Sequence, residues 1–306
     1  MRILVTGVTG QIGGALARRL HRLGTVIPAD RTVLDFTKLD SLTNALDDLA
    51  PDFIINPAAY TAVDKAEDEP ELANRVNAQA PGVLARWANE RNVPLIHFST
   101  DYVYDGHGER PWREDDETQP LSVYGLSKLA GENEVRSSGC CFLVVRTSWI
   151  YAAEGKNFLR TIARLARERK ELRVVADQIG APTSAAVVAE AVTAMLTNGL
   201  ERFRNRRDRA NGLVHLAASG ETSWHGFACA IAEGLKALGV PLAVADIVPI
   251  PTSEYPTRAK RPHNSRLDIT RLRNVFHIEP PHWQAALAPE LDELAGDLIK
   301  SGQIPV

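Results

Sequence analysis

A short apolar run, Ile3-Leu4-Val5, leads straight into Gly7-Val8-Thr9-Gly10-Gln11-Ile12-Gly13. The apolar residues that follow, Ile12, Leu16, Leu20 and Leu23, recur at helical spacing. Strand, glycine-rich turn and helix in that order narrow the possible folds more than any other feature of the chain. Glycines let the backbone turn tightly and approach a phosphate, and the helix N-terminus adds free N–H groups and a favourable dipole. Glycine-rich turns are common, but one placed between the first strand and first helix of a βαβ unit predicts a cradle for a dinucleotide pyrophosphate.

The pattern then repeats. Apolar segments at Val26–Ala29, Phe53–Ile55, Pro94–Phe98 and Phe142–Val145 read as further strands, with helical stretches near 39–49, 69–91 and 121–137 between them. Near-continuous apolar strands separated by helices predict an α/β fold, a doubly wound parallel sheet of Rossmann type covered on both faces. Residues 1–150 are expected to form the dinucleotide-binding domain. Residues 151–306 are expected to supply mainly a smaller α/β substrate-binding lobe, with some segments returning to the first sheet. In that second half helices are predicted near 157–168, 185–198 and 223–238 and a strand at Leu213–Leu216. Pro249-Ile250-Pro251 and Pro280-Pro281 are expected to break the remainder into loops and short elements.

Composition mainly excludes. A formal net charge of -3 argues against a general nucleic-acid or anionic-membrane binder, since both call for excess basic charge. The arginines at 202, 204, 206, 207 and 209 are interleaved with acidic and polar residues, so a solvated loop is the simpler reading. Three cysteines make no disulfide framework and lack metal-ligand spacing; Cys140 and Cys141 open an apolar strand. No stretch has the length of a membrane span, and the opening strand is shorter than a signal peptide's apolar region, so a cytoplasmic setting is expected.

Tyr124-Gly125-Leu126-Ser127-Lys128 places a phenol and an ammonium one helical turn apart. A free tyrosine titrates near pH ~10, and a neighbouring cation is expected to draw it toward neutrality for proton exchange. Ser99-Thr100 ends the fourth strand, on the carboxyl edge where the glycine turn opens and where ligands of open parallel sheets bind. A Thr100 hydroxyl beside the Tyr124 phenol would hold and polarise a carbonyl. Asp30, at the end of the second strand, suits the ribose hydroxyls of NAD, whereas Arg31 beside it suits the 2′-phosphate of NADP. The two point in opposite directions, and use of either NADPH or NADH is expected.

At this point the chain resembles the extended short-chain dehydrogenase/reductases, and among them the dTDP-4-dehydrorhamnose reductases. The resemblance rests on Gly7 to Gly13, Asn56 to Asp64, Val76-Asn77-Ala78, Ser99 to Gly106, Tyr124 to Lys128, Arg146 to Tyr151, Asp177 to Thr183 and Arg261 to Leu267, which span nearly the whole sequence. It implies a reductase acting at C4 of a nucleotide-linked keto sugar. In it Tyr124 is the general acid, Lys128 its partner and ribose anchor, and Thr100 the carbonyl-holding hydroxyl. It extends the cofactor contacts to Thr9, Gln11, Asp35, Phe36, Ala58, Ala59 and Tyr60, and assigns the hexose to Asp101, Tyr102 and Trp149, the last as an aromatic face. Arg261 and Asn264 would meet the nucleotide. Asn77 and Lys65 are weaker candidates for the site lining.

Some members of the family pair through magnesium held by glutamates. The matching positions here are Ala15 and Ala186, which cannot ligate a metal, so that mode of pairing is doubtful and catalysis is expected to need no metal. The resemblance is compatible with a monomer or a homodimer. Two other readings stay open: reduction of a different nucleotide-linked 4-keto sugar, and a non-catalytic regulatory subunit like that of methionine adenosyltransferase.

Overall fold

Strand β1 (Arg2–Thr6) and the segments that alternate with helices after it assemble into one sheet: β2 (Thr25–Ala29), β3 (Phe53–Asn56), β4 (Leu95–Thr100) and β5 (Phe142–Thr147). The computed structural model describes residues 1–204 and 212–300, and the side chains of all of these except 199–204. The arginine cluster from Arg202 to Arg209 therefore lies outside the described side chains. The strand expected at Leu213–Leu216 is β10 (Gly212–His215), which returns to the first sheet beside β5. The order is β2-β1-β3-β4-β5-β10, and every neighbouring pair is parallel.

Helices cover both faces, as buried strands require. On one side lie α1 (Gln11–Arg19) and α8 (Ala185–Arg204), burying Leu16, Val188, Val192 and Met195 against Ile3, Val5 and Ile96. On the other lie α2 (Leu39–Leu49), α5 (Ala80–Arg91) and α6 (Val123–Ser137), whose Leu42, Leu46, Leu84, Trp87 and Val135 pack on Leu4, Ile54 and Val144. The helical stretch expected over 69–91 is interrupted. After the single turn of α3 (Val63–Ala66), α4 (Pro70–Asn74) passes into a π-helical turn, Arg75–Gln79, before α5 begins.

A second region has its own apolar core, separate from those on the two faces of the sheet. It is built by α7 (Phe158–Glu168), α9 (Trp224–Ala237) and α11 (Trp283–Lys300), around Leu159, Phe227, Ile231, Trp283, Leu287 and Leu291. Strands β7 (Glu171–Val175) and β12 (Asp246–Ile250) form a parallel pair there. Two smaller pairs complete the region: β6 (Ile150–Tyr151) with β9 (Thr183–Ser184), and β8 (Ile179–Gly180) with β11 (Thr222–Ser223). Helix α10 (Thr270–Phe276) packs Leu272 and Phe276 back into the first core.

The proline segments break this region largely as expected, Pro251 ending β12 and Pro280-Pro281 lying in the loop between α10 and α11, though α11 is long. Pro249 lies inside β12, which is tolerated because a two-stranded ribbon has only edge strands. Pro281 precedes α11, and Ser219 N donates to the Pro281 carbonyl at 2.9 Å; Pro289 sits within that helix. Among the described residues no helix is long and apolar enough to cross a membrane.

Candidate active site

The order of strand addition reverses between β1 and β3, since β2 lies to one side of β1 and all later strands to the other. Open α/β sheets bind ligands at such a switch, outside the carboxyl ends of the strands. Gly7 stands there at φ 59°, and a Cβ on it would lie 2.8 Å from the Ala58 Cα at the end of β3. A Cβ at Gly13 would lie 2.2 Å from the Gly7 carbonyl oxygen, so the helix docks against the turn with no room for a side chain. Gly10 caps α1 without any side-chain hydrogen bond, and the first-turn N–H groups at Gln11, Ile12 and Gly13 open onto this crevice. A cradle that a single Cβ would fill, floored by an uncapped helix end, fits a pyrophosphate. Thr9 is exposed at its rim, and Gln11 accepts a hydrogen bond from Asn157 Nδ2 at 2.9 Å, tying the turn to the start of α7.

Beyond β2, Asp30 Oδ1 accepts from Thr32 N and Oγ1 at 2.8 and 2.6 Å, which hold its carboxyl below the ordinary range. Asp35 makes the same kind of turn with Thr37, and Phe36 is buried in the core beneath. Arg31 is exposed. Each aspartate thus has one oxygen committed to its own loop. After β3, Ala58 faces Gly7, with Ala59 and Tyr60 following. Asn77, fully buried in the π turn, holds the Tyr60 backbone from both sides: its Oδ1 accepts from Tyr60 N at 2.7 Å and its Nδ2 donates to Tyr60 O at 3.1 Å. The same Nδ2 donates to Ser127 Oγ at 2.9 Å, locking the turn to α6. Lys65 pairs at 2.7 Å with Glu69, the carboxylate that also accepts from the Tyr60 hydroxyl.

Helix α6 is capped by Ser122, whose hydroxyl accepts from Gly125 N. It brings Tyr124 and Lys128 against the end of β4. The Lys128 ammonium, 3% exposed, donates to the Phe98 carbonyl at 2.7 Å. Its burial lowers the ammonium to about 8. The Tyr124 phenol is hydrogen-bonded to Thr100, while burial, more than the nearby Asp101 and Tyr102, raises it well above its ordinary value. The sequence led to the opposite expectation, a phenol lowered by Lys128. Burial is the largest influence on the phenol, and the Lys128 ammonium donates to the Phe98 carbonyl instead of to it. Tyr124 is accordingly protonated at neutral pH and suited to give a proton.

Thr100 donates to Asp101 Oδ1 at 3.0 Å and accepts from Tyr102 N at 3.2 Å. Burial raises Asp101 to about 6, against the lowering effect of the Ser265 and Thr100 hydroxyls. The Tyr102 ring meets Tyr124 edge-on at 5.4 Å. Its hydroxyl accepts from Arg261 Nη1 at 3.0 Å, and Arg261 pairs with Asp64, which also accepts from Ala259 N at 3.1 Å. Thr100, Asp101, Tyr102, Tyr124, Lys128 and Arg261 therefore share one crevice. Asn264 does not open onto it: its amide donates to Arg110 O at 2.8 Å and its oxygen accepts from Arg266 N, so it braces a loop. Trp149 stacks on Trp224 at 3.6 Å with 12° between the planes.

Sequence reasoning did not single out Asp64 as a partner for Arg261, Ser265 beside Asp101, or Trp224. Their partners lie far away along the chain, and no local spacing reveals them.

The family model described as "RmlD substrate binding domain" matches residues 1–295. A dTDP-4-dehydrorhamnose reductase of Burkholderia thailandensis is 46% identical over 289 residues, covering 94% of this chain and 97% of that protein. Among solved structures, a dTDP-4-dehydrorhamnose reductase of Clostridium acetobutylicum matches with a TM-score of 0.86 and 34% identity, covering 96% of this chain and 99% of its own. Another, from Bacillus anthracis and in complex with NADP, matches with a TM-score of 0.84 and 33% identity over 95% of this chain and 99% of its own. With its glycine cradle at the sheet's switch point and Thr100, Tyr124 and Lys128 beside it, the chain belongs to the RmlD family, that of the dTDP-4-dehydrorhamnose reductases.

Proposed function

We propose that the protein reduces dTDP-4-dehydro-L-rhamnose at C4 to dTDP-L-rhamnose, with NADPH or NADH. The observation that carries this is a protonated, buried phenol hydrogen-bonded to Thr100, one helical turn from a buried ammonium and beside a pyrophosphate-shaped cradle. When bound, the cofactor supplies a hydride. Gly7, Thr9, Gly10, Gln11, Ile12 and Gly13 hold its pyrophosphate. Asp30, Arg31, Asp35 and the backbone at Phe36 serve the adenosine end, and Ala58, Ala59, Tyr60, Tyr124 and Lys128 the nicotinamide end.

Thr100 and Tyr124 hold the C4 carbonyl oxygen. As the carbon gains its hydride, the oxygen takes the Tyr124 proton and becomes a hydroxyl, leaving a phenolate that solvent reprotonates. Lys128 favours that phenolate and orients the ribose. Asp101 and Tyr102 bind hexose hydroxyls, and Arg261, released from Asp64, suits the diphosphate. Asn264 supports the site by bracing the loop below it. The reaction belongs in the cytoplasm, where reduced nicotinamide is available, and one chain carries every group named, whether monomer or homodimer.

The test is NAD(P)H oxidation at 340 nm with the 4-keto sugar supplied by coupled upstream enzymes, and the product identified by mass and NMR. Tyr124→Phe should lose turnover by roughly 10²–10⁴-fold while binding cofactor normally. Activity retained in that variant would remove Tyr124 from the role, and a different product would identify another 4-keto sugar as substrate.

A further inference from the structure

We infer that Trp224 is a positioning residue of the substrate site: with Gly180 it clamps the Trp149 indole on both faces, so that a nucleotide-linked sugar meets the edge of Trp149 and its N–H group. The inference rests on the reductase reading for its ligand class, but its geometry stands on separate contacts.

Trp149 follows the end of β5 at φ 49°, a conformation costly for a large side chain. Its backbone is nonetheless held, since its carbonyl accepts from Thr183 N at 3.1 Å and the next residues pair with β9. One face of the ring is closed by Gly180. A Cβ there would lie 2.7 Å from Trp149 Cε2 and 3.0 Å from each of its ring neighbours Cδ2 and Cζ2. A point nearest Cε2 and equidistant from the two flanking atoms lies over the ring and not beyond its rim. The other face is closed by Trp224. Two rings nearly parallel with centroids 3.6 Å apart overlap almost fully, and on the Gly180 side Trp224 would occupy that same point.

Both jaws come from one ribbon. Gly180 ends β8, Thr222 opposite it belongs to β11, and Trp224 begins α9 directly afterwards. Ser223 caps that helix by accepting from Gly226 N at 3.0 Å. Behind Trp224, Phe158 of α7 stands at 4.6 Å and Phe227 at 6.5 Å, so the clamp is anchored in the second core.

A sugar stacking on Trp149 would need a free face, and none is open. What remains is the rim. Trp149 is partly exposed, and among the described residues its indole N–H makes no hydrogen bond. An indole nitrogen is a donor only, so the group it suits is a hydroxyl, carbonyl or phosphate oxygen of the ligand. Trp224 fixes where that donor points without touching the ligand.

The experiment measures turnover and, by calorimetry, the binding of dTDP-L-rhamnose to cofactor-loaded wild type and to Trp224→Leu, Trp224→Phe, Trp149→Phe and Trp149→Ala. Cofactor affinity and near-ultraviolet circular dichroism serve as folding controls. Trp224→Leu should weaken the sugar nucleotide about tenfold in KM and Kd with little change in kcat, and Trp224→Phe should restore most of that loss. Trp149→Phe, which keeps an aromatic ring but lacks the N–H, should be as impaired as Trp149→Ala. Wild-type affinity in Trp224→Leu, or in Trp149→Phe while Trp149→Ala is weakened, overturns the clamp and leaves the reductase reading standing. Product binding that depends on Trp224 without wild-type turnover supports the clamp and overturns the reductase reading. Absence of both binding and turnover overturns both.

Discussion

Asp101 shows how a single side chain in this crevice carries two opposed requirements. Its carboxyl is 2% exposed and titrates at about 6, because burial penalises the charge more than the Thr100 and Ser265 hydroxyls favour it. The folded chain therefore holds this proton more tightly than the unfolded one. The group's stabilising contribution is full below about pH 4 and lost as pH rises through 6. Asp101→Asn should then gain stability at pH 7, of order 1–3 kcal/mol in urea unfolding, while losing sugar affinity. In the wild type kcat/KM should fall as pH drops below about 6, and the Asn variant should lack that limb. Lys128 sets the other side. Its ammonium, lowered to about 8, is lost as pH rises, so kcat should decline above that value. Arg31 is exposed at the end of β2, and Arg31→Ala should raise KM for NADPH by about tenfold with little effect on NADH.

At the level of elements, α1 is the clearest case of a helix whose start is built for a ligand. Its cap is a glycine with no side-chain acceptor, and the first turn rests at Gly13 on the Gly7 carbonyl. Gly13→Ala should abolish cofactor binding, measured by calorimetry, because its Cβ would sit 2.2 Å from that oxygen and 2.6 Å from the carbonyl carbon, both fixed backbone. Helix α6 is held by a different device. Glu132 accepts from Arg146 Nε and Nη2 at 2.7 and 2.6 Å, and both side chains are almost wholly buried. Arg146 Nη1 also donates to Tyr104 Oη, next to a His215 held neutral, its imidazole lowered to about 3. This network fastens the catalytic helix to β5 under the site. Glu132→Gln should cost about 3–5 kcal/mol by leaving a buried guanidinium uncompensated, and Arg146→Met with Glu132→Met should cost less than that single change. Melting temperatures of the two variants beside the wild type check the order.

For the whole molecule, much of the architecture was legible along the chain because it is written in short-range periodicity. The strands from Ile3 to Val145 and the helices over 39–49, 121–137, 157–168 and 223–238 fall within a few residues of those observed. Two segments were not legible for contrary reasons. Helix α11 carries a plain apolar repeat, Leu287, Leu291, Leu294 and Leu298, obscured by the prolines before and within it. The π turn at Arg75–Gln79 has no sequence signature, since what fixes it is Asn77 reaching the Tyr60 backbone and Ser127.

The glycine cradle, the layered sheet and the pairing of Tyr124 with Lys128 are readable along the chain, because each depends on residues adjacent in it or one helical turn apart. The protonation of Tyr124, the pairing of Arg261 with Asp64 and the closing of Trp149 between Gly180 and Trp224 arise on folding. Charge states follow burial, and burial is a property of surfaces brought together from distant segments, which no local pattern records.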